Sequence, residues 1–267
     1  MTKIIFLGTA GTVNVSSKGL RSSAGIIIQH GGVQMHLDPG AGVAHMAKQL
    51  GVNLHHTNVV LVSHNHLNHC NDLNYVIDAM THGGIEKRGL IMASKSVLQN
   101  TENSHPYITR YHQTLVDKII ALEPRHKVGV DLVEVNTIPI EHTDKYAVGF
   151  KIYFPGFILG YSSDTKYSEE LVESLKGCDM LILNVPFPGK NGKGLNLDSD
   201  SAEKIISMVK PRLAVLTHFG LEMLKVDPLE EARKIQRKTN VTTIAARDGT
   251  VITPSDYKEY KSPVKGF

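Results

Sequence analysis

The fold of this chain is decided by the stretch Val59-Val60-Leu61-Val62-Ser63-His64-Asn65-His66-Leu67-Asn68-His69. Its first four residues are apolar and mostly β-branched, which is typical of a buried strand. Three histidines then follow within six residues. Because protonation of three neighbouring imidazoles would be opposed by mutual repulsion, the loop favours neutral histidines that bind a metal. A tight loop can aim His64 and His66 at one ion and His69 at another.

Residues able to bind metal also follow three other predicted strands. His142, Asp164 and His218 each come shortly after an apolar segment. Because strand ends meet at one edge of a sheet, we expect these side chains to converge there. Five imidazoles and a carboxylate suit zinc, with iron or manganese as alternatives, and a carboxylate can bridge two ions. The sequence therefore predicts one or two divalent ions, with the ligands His64, His66, His69, His142, Asp164 and His218.

The composition limits the classes of protein and partner. The chain has 267 residues, a formal net charge of +3 and only two cysteines, which cannot form a disulfide framework. This mild charge permits an anionic small-molecule or RNA substrate, and no DNA-binding motif is present. No apolar run approaches the length of about 18 residues that a membrane span needs. We therefore predict a cytoplasmic protein without a membrane partner.

Short apolar runs alternate with amphipathic helical patterns over the whole chain, without a linker or repeat. This pattern predicts a single domain, 1–267, built as an α+β or α/β sandwich with helices on the outer faces. The predicted strands are 3–7, 24–29, 33–37, 58–63, 90–93, 117–122, 132–140, 148–154, 157–162, 180–184, 213–217, 241–245 and 250–252. The predicted helices are 43–50, 73–80, 168–175, about 199–209 and 228–239.

Several motifs together resemble the metallo-β-lactamase superfamily. They are Phe6-Leu7-Gly8-Thr9-Ala10-Gly11-Thr12, Leu37-Asp38-Pro39-Gly40, the histidine loop, His142, Ser163-Asp164 and His218. The opening motif is most similar to the ribonuclease Z and phosphodiesterase branch. The resemblance implies an α+β fold, a four-layer αββα sandwich of two mixed β-sheets flanked by helices. It also implies a two-metal site between the sheets.

Carried over to this chain, the resemblance assigns the predicted ligands to two ions. His64, His66 and His142 would hold one ion, His69 and His218 the other, and Asp164 would bridge both. Asp38 and Glu141 would orient ligand side chains, although Asp38 in Asp-Pro-Gly is also a typical turn residue.

One position departs from the family pattern His-x-His-x-Asp-His, because Asn68 stands where the aspartate is expected. Two divalent ions carry a charge of +4, and Asp164 alone offsets one unit of it. The second site should therefore be weaker. Asn68 could still ligate or orient a water, so we assign Asn68 and Asp164 to the catalytic machinery.

The resemblance and the predicted site together favour a hydrolase in which metal-bound hydroxide attacks a phosphodiester of RNA or a nucleotide. Candidate substrate-binding residues are Arg247, Lys190 and Lys193, with solvated surface positions as the alternative. The interval from His142 to Asp164 spans only 22 positions, too short for the long arm by which ribonuclease Z grips transfer RNA. The alternatives are a thioester or lactone hydrolase, or a metal-binding sensor without turnover. The sequence is also compatible with a homodimer.

Overall fold

Two mixed β-sheets stack face to face in this computed structural model, which describes residues 2–257. The first sheet contains β1 (Thr2–Gly8), β2 (Gly25–His30), β3 (Val33–Leu37), β4 (Thr57–Val62), β5 (Leu90–Ser94), β6 (Lys118–Leu122) and β14 (Val251–Ile252). The second sheet contains β7 (Lys127–Val130), β8 (Val133–Pro139), β9 (Val148–Phe154), β10 (Phe157–Tyr161), β11 (Met180–Asn184), β12 (Leu213–Thr217) and β13 (Thr242–Ala245). In space the orders are β14-β1-β2-β3-β4-β5-β6 and β13-β12-β11-β10-β9-β8-β7.

The strand directions bring the predicted ligands to common sheet edges. Strands β3 to β6 are parallel, and so are β10 to β13. Strand β8 runs in the same direction as β10, because both pair antiparallel with β9. The segments after β8, β10 and β12 therefore leave the second sheet at one edge, as the argument from strand ends requires.

Helices cover the outer face of each sheet. In chain order they are α1 (Val13–Ser16), α2 (Val43–Gln49), α3 (Leu67–Cys70), α4 (Leu73–Met80), α5 (Lys95–Leu98), α6 (Arg110–Thr114), α7 (Glu169–Leu175), α8 (Ser199–Val209), α9 (Leu221–Val226) and α10 (Pro228–Thr239). Helices α2 and α4 pack on the first sheet, whereas α7, α8 and α10 pack on the second. Two 3-10 turns, Leu54–His56 and Pro254–Tyr257, complete the elements.

Helices α7, α8 and α10 begin where a side chain caps them. Asp198 accepts a hydrogen bond from the backbone N–H of Ser201, and Ser168 caps α7 in the same way through Leu171. Asp227 accepts from Leu229 N–H, and Pro228 occupies the first turn of α10, where its missing N–H costs nothing.

The core lies in three layers between the sheets and helices. In β1, Ile4 and Phe6 belong to the layer between the sheets, whereas Ile5 and Leu7 contact the layer beneath α2 and α4. A third apolar layer separates the second sheet from its helices. Strands that are buried on both faces need continuous apolar runs, which explains the Ile- and Val-rich segments of the sequence.

The predicted four-layer αββα sandwich is confirmed. Strand β7 was missed because its residues alternate between exposed and half-buried positions and include Gly129. The single-domain prediction, 1–267, stays a prediction, and its residues 1 and 258–267 lie outside the described residues. Across residues 2–257, no helix is long and apolar enough to cross a membrane.

Candidate metal centre

The histidine loop turns sharply at the end of β4. His66 is the first residue before α3, and its carbonyl accepts hydrogen bonds from the backbone N–H groups of His69 and Cys70 at 2.8 and 3.1 Å. This single helical turn carries His69 back toward His64. Both of these imidazoles are fully buried, whereas His66 is half-buried and faces a cleft.

Three imidazoles form a first convergent group. His64 Nε2 lies 3.1 Å from His66 Nδ1, which is 3.2 Å from His142 Nε2. The three ring planes meet at 73° to 78°, so their lone pairs point toward a common position. Two nitrogens bound tetrahedrally at about 2.0–2.1 Å from one ion lie about 3.3 Å apart, which matches these separations.

A second group is formed by His69, His218 and Asp164. Asp164 Oδ2 lies 3.3 Å from His69 Nε2 and 3.0 Å from His218 Nε2, and all three side chains are buried. The Nε2 atoms of His69 and His218 make no hydrogen bond of acceptable geometry with any described residue. Buried polar atoms without partners are costly, so these two nitrogens fit metal ligands. The same carboxylate oxygen lies 3.9 Å from His64 Nε2, in reach of both groups.

Asp38 orients two of these histidines. Its carboxylate is buried and accepts a hydrogen bond from His69 Nδ1 at 2.8 Å, which leaves Nε2 of that ring free. It also accepts from the N–H and hydroxyl of Ser63 at 2.7 and 2.8 Å and from the Tyr161 hydroxyl at 2.7 Å. Because the Ser63 hydroxyl donates to Asp38, it accepts from His64 Nδ1 at 2.9 Å. Asp38 is thus placed as an orienting residue requires.

Glu141 does not orient a ligand, contrary to the prediction. It is exposed, and its carboxylate pairs with Lys166 at 2.6 Å. His142 is held instead by the backbone carbonyl of Leu195, which accepts from Nδ1 at 3.2 Å. A backbone acceptor leaves no side-chain signal in a sequence, which is why this contact was missed.

Asn184 holds the remaining oxygen of Asp164. Its amide donates to Asp164 Oδ1 at 2.7 Å and to the Tyr161 hydroxyl at 3.2 Å. Sequence analysis did not single out Asn184 or Tyr161, although both stand at the ends of strands beside predicted ligands. A polar residue that ends a buried strand was the signal available.

The first group is electrically suited to hold a cation. Burial lowers the pKa of His64 well below 6.5, and the neighbouring His69 lowers it further. Burial also lowers the pKa values of His66 and His142. The three rings are therefore neutral near pH 7 and keep the lone pairs that a metal needs.

The second group is held together by charge. Burial lowers the pKa of His69, but Asp164 and Asp38 outweigh it and raise that pKa to about 10, so an ion that binds Nε2 would displace a proton from this ring. Burial raises the pKa of Asp164, yet His218 and His69 outweigh it and hold that pKa well below its usual range. Asp164 is therefore ionised, as a bridging ligand must be.

Asn68 lies in α3, between His66 and His69 along the chain, and is buried. Its backbone oxygen would be 2.1 Å from a Cβ atom on residue 40, so only glycine fits at that position. Gly40 thereby lets the Asp-Pro-Gly turn pack directly beneath the histidine loop.

The three predicted substrate-binding residues lie apart from the cleft that His66 faces. Lys193 is exposed and pairs with Glu222 at 2.7 Å, and Lys190 is exposed in the same loop. Arg247 is exposed, and within residues 2–257 it forms no ion pair with Asp248. The Asp248 carboxylate instead accepts hydrogen bonds from the Thr9 hydroxyl and the Ser22 N–H. That substrate-binding role is a prediction without support from this geometry.

The cleft beside His66 has a volume of about 340 Å³ and a polar lining. One wall is the segment 143–146 and the other is the loop 101–104. Neither segment was singled out from the sequence as substrate-binding.

Histidine groups that share one buried aspartate, set in a four-layer αββα sandwich, define a protein of the metallo-β-lactamase fold class. Residues 34–219 match the family model described as the beta-lactamase superfamily domain, so the chain belongs to that superfamily. The predicted membership is confirmed.

The relatives agree with this assignment. An uncharacterized protein of Methanocaldococcus jannaschii is 29% identical over 92% of this chain and 93% of its own length. A ribonuclease Z of Methanopyrus kandleri is 25% identical over 92% of this chain and 96% of its own length, consistent with the predicted branch. The fold is shared with the metallo-β-lactamase fold protein YhfI of Bacillus subtilis, with a TM-score of 0.75, 17% identity, and coverage of 94% and 98% of the two chains.

Proposed function

We propose that the protein is a zinc-dependent phosphodiesterase acting on RNA or nucleotides. The observation that carries the proposal is the pair of convergent ligand groups that share Asp164 beside a polar cleft. Zinc is favoured because five of the six candidate ligands are imidazoles at tetrahedral spacing. When bound, a divalent ion supplies Lewis acidity and lowers the pKa of a water nucleophile.

The chain's own residues supply orientation and charge. Asp38 fixes the rings of His69 and, through Ser63, of His64, so that each presents Nε2 to the centre. Among the candidate ligands, Asp164 supplies the negative charge within reach of both groups. With neutral imidazoles as the other ligands, a loaded centre keeps a net positive charge, which favours an anionic phosphodiester over a neutral ester.

Processing of precursor transfer RNA does not fit this chain. The interval between His142 and Asp164 is occupied by the antiparallel pair β9 and β10, which are joined by a turn at Pro155 and Gly156. This hairpin belongs to the second sheet and leaves no room for an arm. We therefore propose a small or single-stranded phosphodiester substrate.

The proposal is tested by metal analysis together with a substrate panel. Purified protein is assayed by elemental analysis and with bis(p-nitrophenyl) phosphate, an RNA oligonucleotide, a thioester and a lactone. We expect bound zinc and turnover that is fastest for the phosphodiesters, with His64→Ala as the inactive control. Faster thioester or lactone hydrolysis would support the alternative hydrolase, and bound metal without turnover would support the sensor.

A further inference from the structure

In the cleft beside His66, two hydrogen-bond donors, an ammonium and a phenol hydroxyl, face one carboxylate. Lys145 Nζ donates to Glu102 at 2.6 Å, and the Tyr146 hydroxyl donates to the same carboxylate at 3.4 Å. The side chains of Lys145 and Glu102 are 60% and 62% exposed. The pair therefore lies at the open side of the cleft, where an incoming ligand can reach it.

The wall that carries Lys145 is firmly placed. Asp144 accepts hydrogen bonds from the backbone N–H groups of Asn65 and Tyr146 at 3.2 and 2.9 Å, and also from the Ser96 hydroxyl. One half-buried acceptor thus joins the histidine loop, the segment after β5 and the 143–146 wall. The position of Lys145 relative to His66 is therefore set by the same contacts that shape the histidine loop.

The wall is also positively charged around one aromatic ring. Lys145 Nζ lies 5.1 Å from the centre of the Tyr146 ring, and Lys95 Nζ lies 5.3 Å from it. Glu102 is the carboxylate that offsets this charge, and it is carried by the opposite wall. An ammonium and a phenol hydroxyl that both donate to one carboxylate can donate to a phosphate in the same way.

We propose that Lys145 and Tyr146 form a subsite for a second phosphate group of the substrate, and that Glu102 occupies this subsite until the substrate displaces it. The inference rests on the proposed function, in which the first phosphate lies at the metal centre. It selects substrates with two phosphate groups, such as an oligonucleotide, over a cyclic mononucleotide with one. A cleft of about 340 Å³ is at the lower end of the range for ligand pockets and suits a sugar with its phosphate.

The subsite is tested by binding, which does not depend on turnover. Metal-loaded protein is titrated by calorimetry with adenosine 3′,5′-bisphosphate and with each of the two monophosphates. We expect wild type to bind the bisphosphate about tenfold more tightly than either monophosphate, and Lys145→Ala to remove that difference. Glu102→Gln should tighten bisphosphate binding severalfold, because it removes the competing charge.

Lys238→Ala is the matched control. Lys238 pairs with Glu203 at 2.8 Å and is 62% exposed, much like Lys145, but it lies on α10 away from the cleft. Binding of all three ligands should be unchanged in this variant. Equal affinity of wild type for bisphosphate and monophosphates, or an unchanged preference in Lys145→Ala, would overturn the subsite. Absence of phosphodiester turnover with this binding pattern intact would overturn the proposed function alone.

Discussion

The buried histidines of the candidate metal centre and a surface histidine pair, His55 and His82 with Glu86, contain the same types of residue. Glu86 lies 3.9 and 3.6 Å from the two surface rings. The surface rings, however, stack in parallel at 3.5 Å and 7°, so their lone pairs run side by side. The rings of His64 and His66 meet at 78° and their lone pairs converge.

The buried centre and the surface pair also differ in the contacts that orient their rings. In three rings of the candidate metal centre, those of His69, His64 and His142, the nitrogen that faces away from the proposed ion binds Asp38, Ser63 and the Leu195 carbonyl respectively. In the surface pair, His55 Nδ1 is buried without a hydrogen-bond partner among residues 2–257. Proximity of histidines and a carboxylate is thus insufficient, because a metal site also needs rings that are oriented before the ion arrives.

Removal of the metal should produce the largest effect and tests whether the buried group is a metal site at all. Ligand binding stabilises the native state by about 4 kcal/mol when the free ion is at about 1,000 times its Kd. For a domain of this size, we expect chelation to lower Tm by about 10 °C. Thermal unfolding followed by circular dichroism, with and without chelator and with zinc added back, measures it. A Tm that does not change with chelator or added zinc would contradict the assignment of the buried group as a metal site.

Replacement of one ring in each group sharpens the comparison. His66→Ala should weaken metal binding by more than about 100-fold, since loss of a ligand exceeds the loss caused by an orienting residue. His82→Ala in the surface pair should leave metal content unchanged and change the free energy of unfolding by less than about 0.5 kcal/mol. Elemental analysis after dialysis compares both variants with wild type. Stoichiometric metal in His66→Ala, or metal lost from His82→Ala, would reverse the comparison.

The orienting contacts are tested through Asp38→Asn. An amide cannot accept from His69, Ser63 and Tyr161 as a carboxylate does, so metal affinity should fall about 10- to 100-fold. Tyr161→Phe removes a single donor and should lower it by less than about tenfold. Competition with a chromophoric chelator gives the affinities, and circular dichroism establishes that each variant is folded. Unchanged affinity in folded Asp38→Asn would show that proximity of the rings suffices.

The Asn68→Asp variant tests a smaller expected effect, the difference in affinity between the two proposed ion sites. A new charge a few ångströms from a divalent ion should strengthen the weaker site, by about tenfold after desolvation is offset. The sign is the informative result. Calorimetric zinc titration of both forms measures it, and equal second-site affinities would mean that Asn68 already ligates well or points away.

The sequence predicted four members of the candidate metal centre because each lies within three residues of the end of a strand. His64, His142, Asp164 and His218 take their positions from strands that apolar patterning locates in the sequence. The grouping of His64, His66 and His142 apart from His69 and His218 came from the family resemblance, and the structure arranges these residues in the same two groups. Their role as ligands stays a prediction.

The cleft could not be predicted in the same way. Lys145 and Glu102 are brought together by loops, and the position of Lys145 depends on two donors, Asn65 and Ser96, that reach Asp144 from distant segments. Lysines chosen from a glycine-rich loop, Lys190 and Lys193, were plausible by charge alone. Charge says nothing about which loop reaches the cleft.

The sequence by itself determined the layered sandwich and the strand ends that carry the ligands, because periodic burial and the polar residues after each strand are local properties. Only the tertiary structure decided which atoms face the centre. The tautomers of His64 and His69 depend on Asp38, whose carboxylate is also bound by Tyr161 from the other sheet. Hydrogen bonds between elements distant in sequence have no local pattern, so ring orientation and cleft shape follow only from the packed fold.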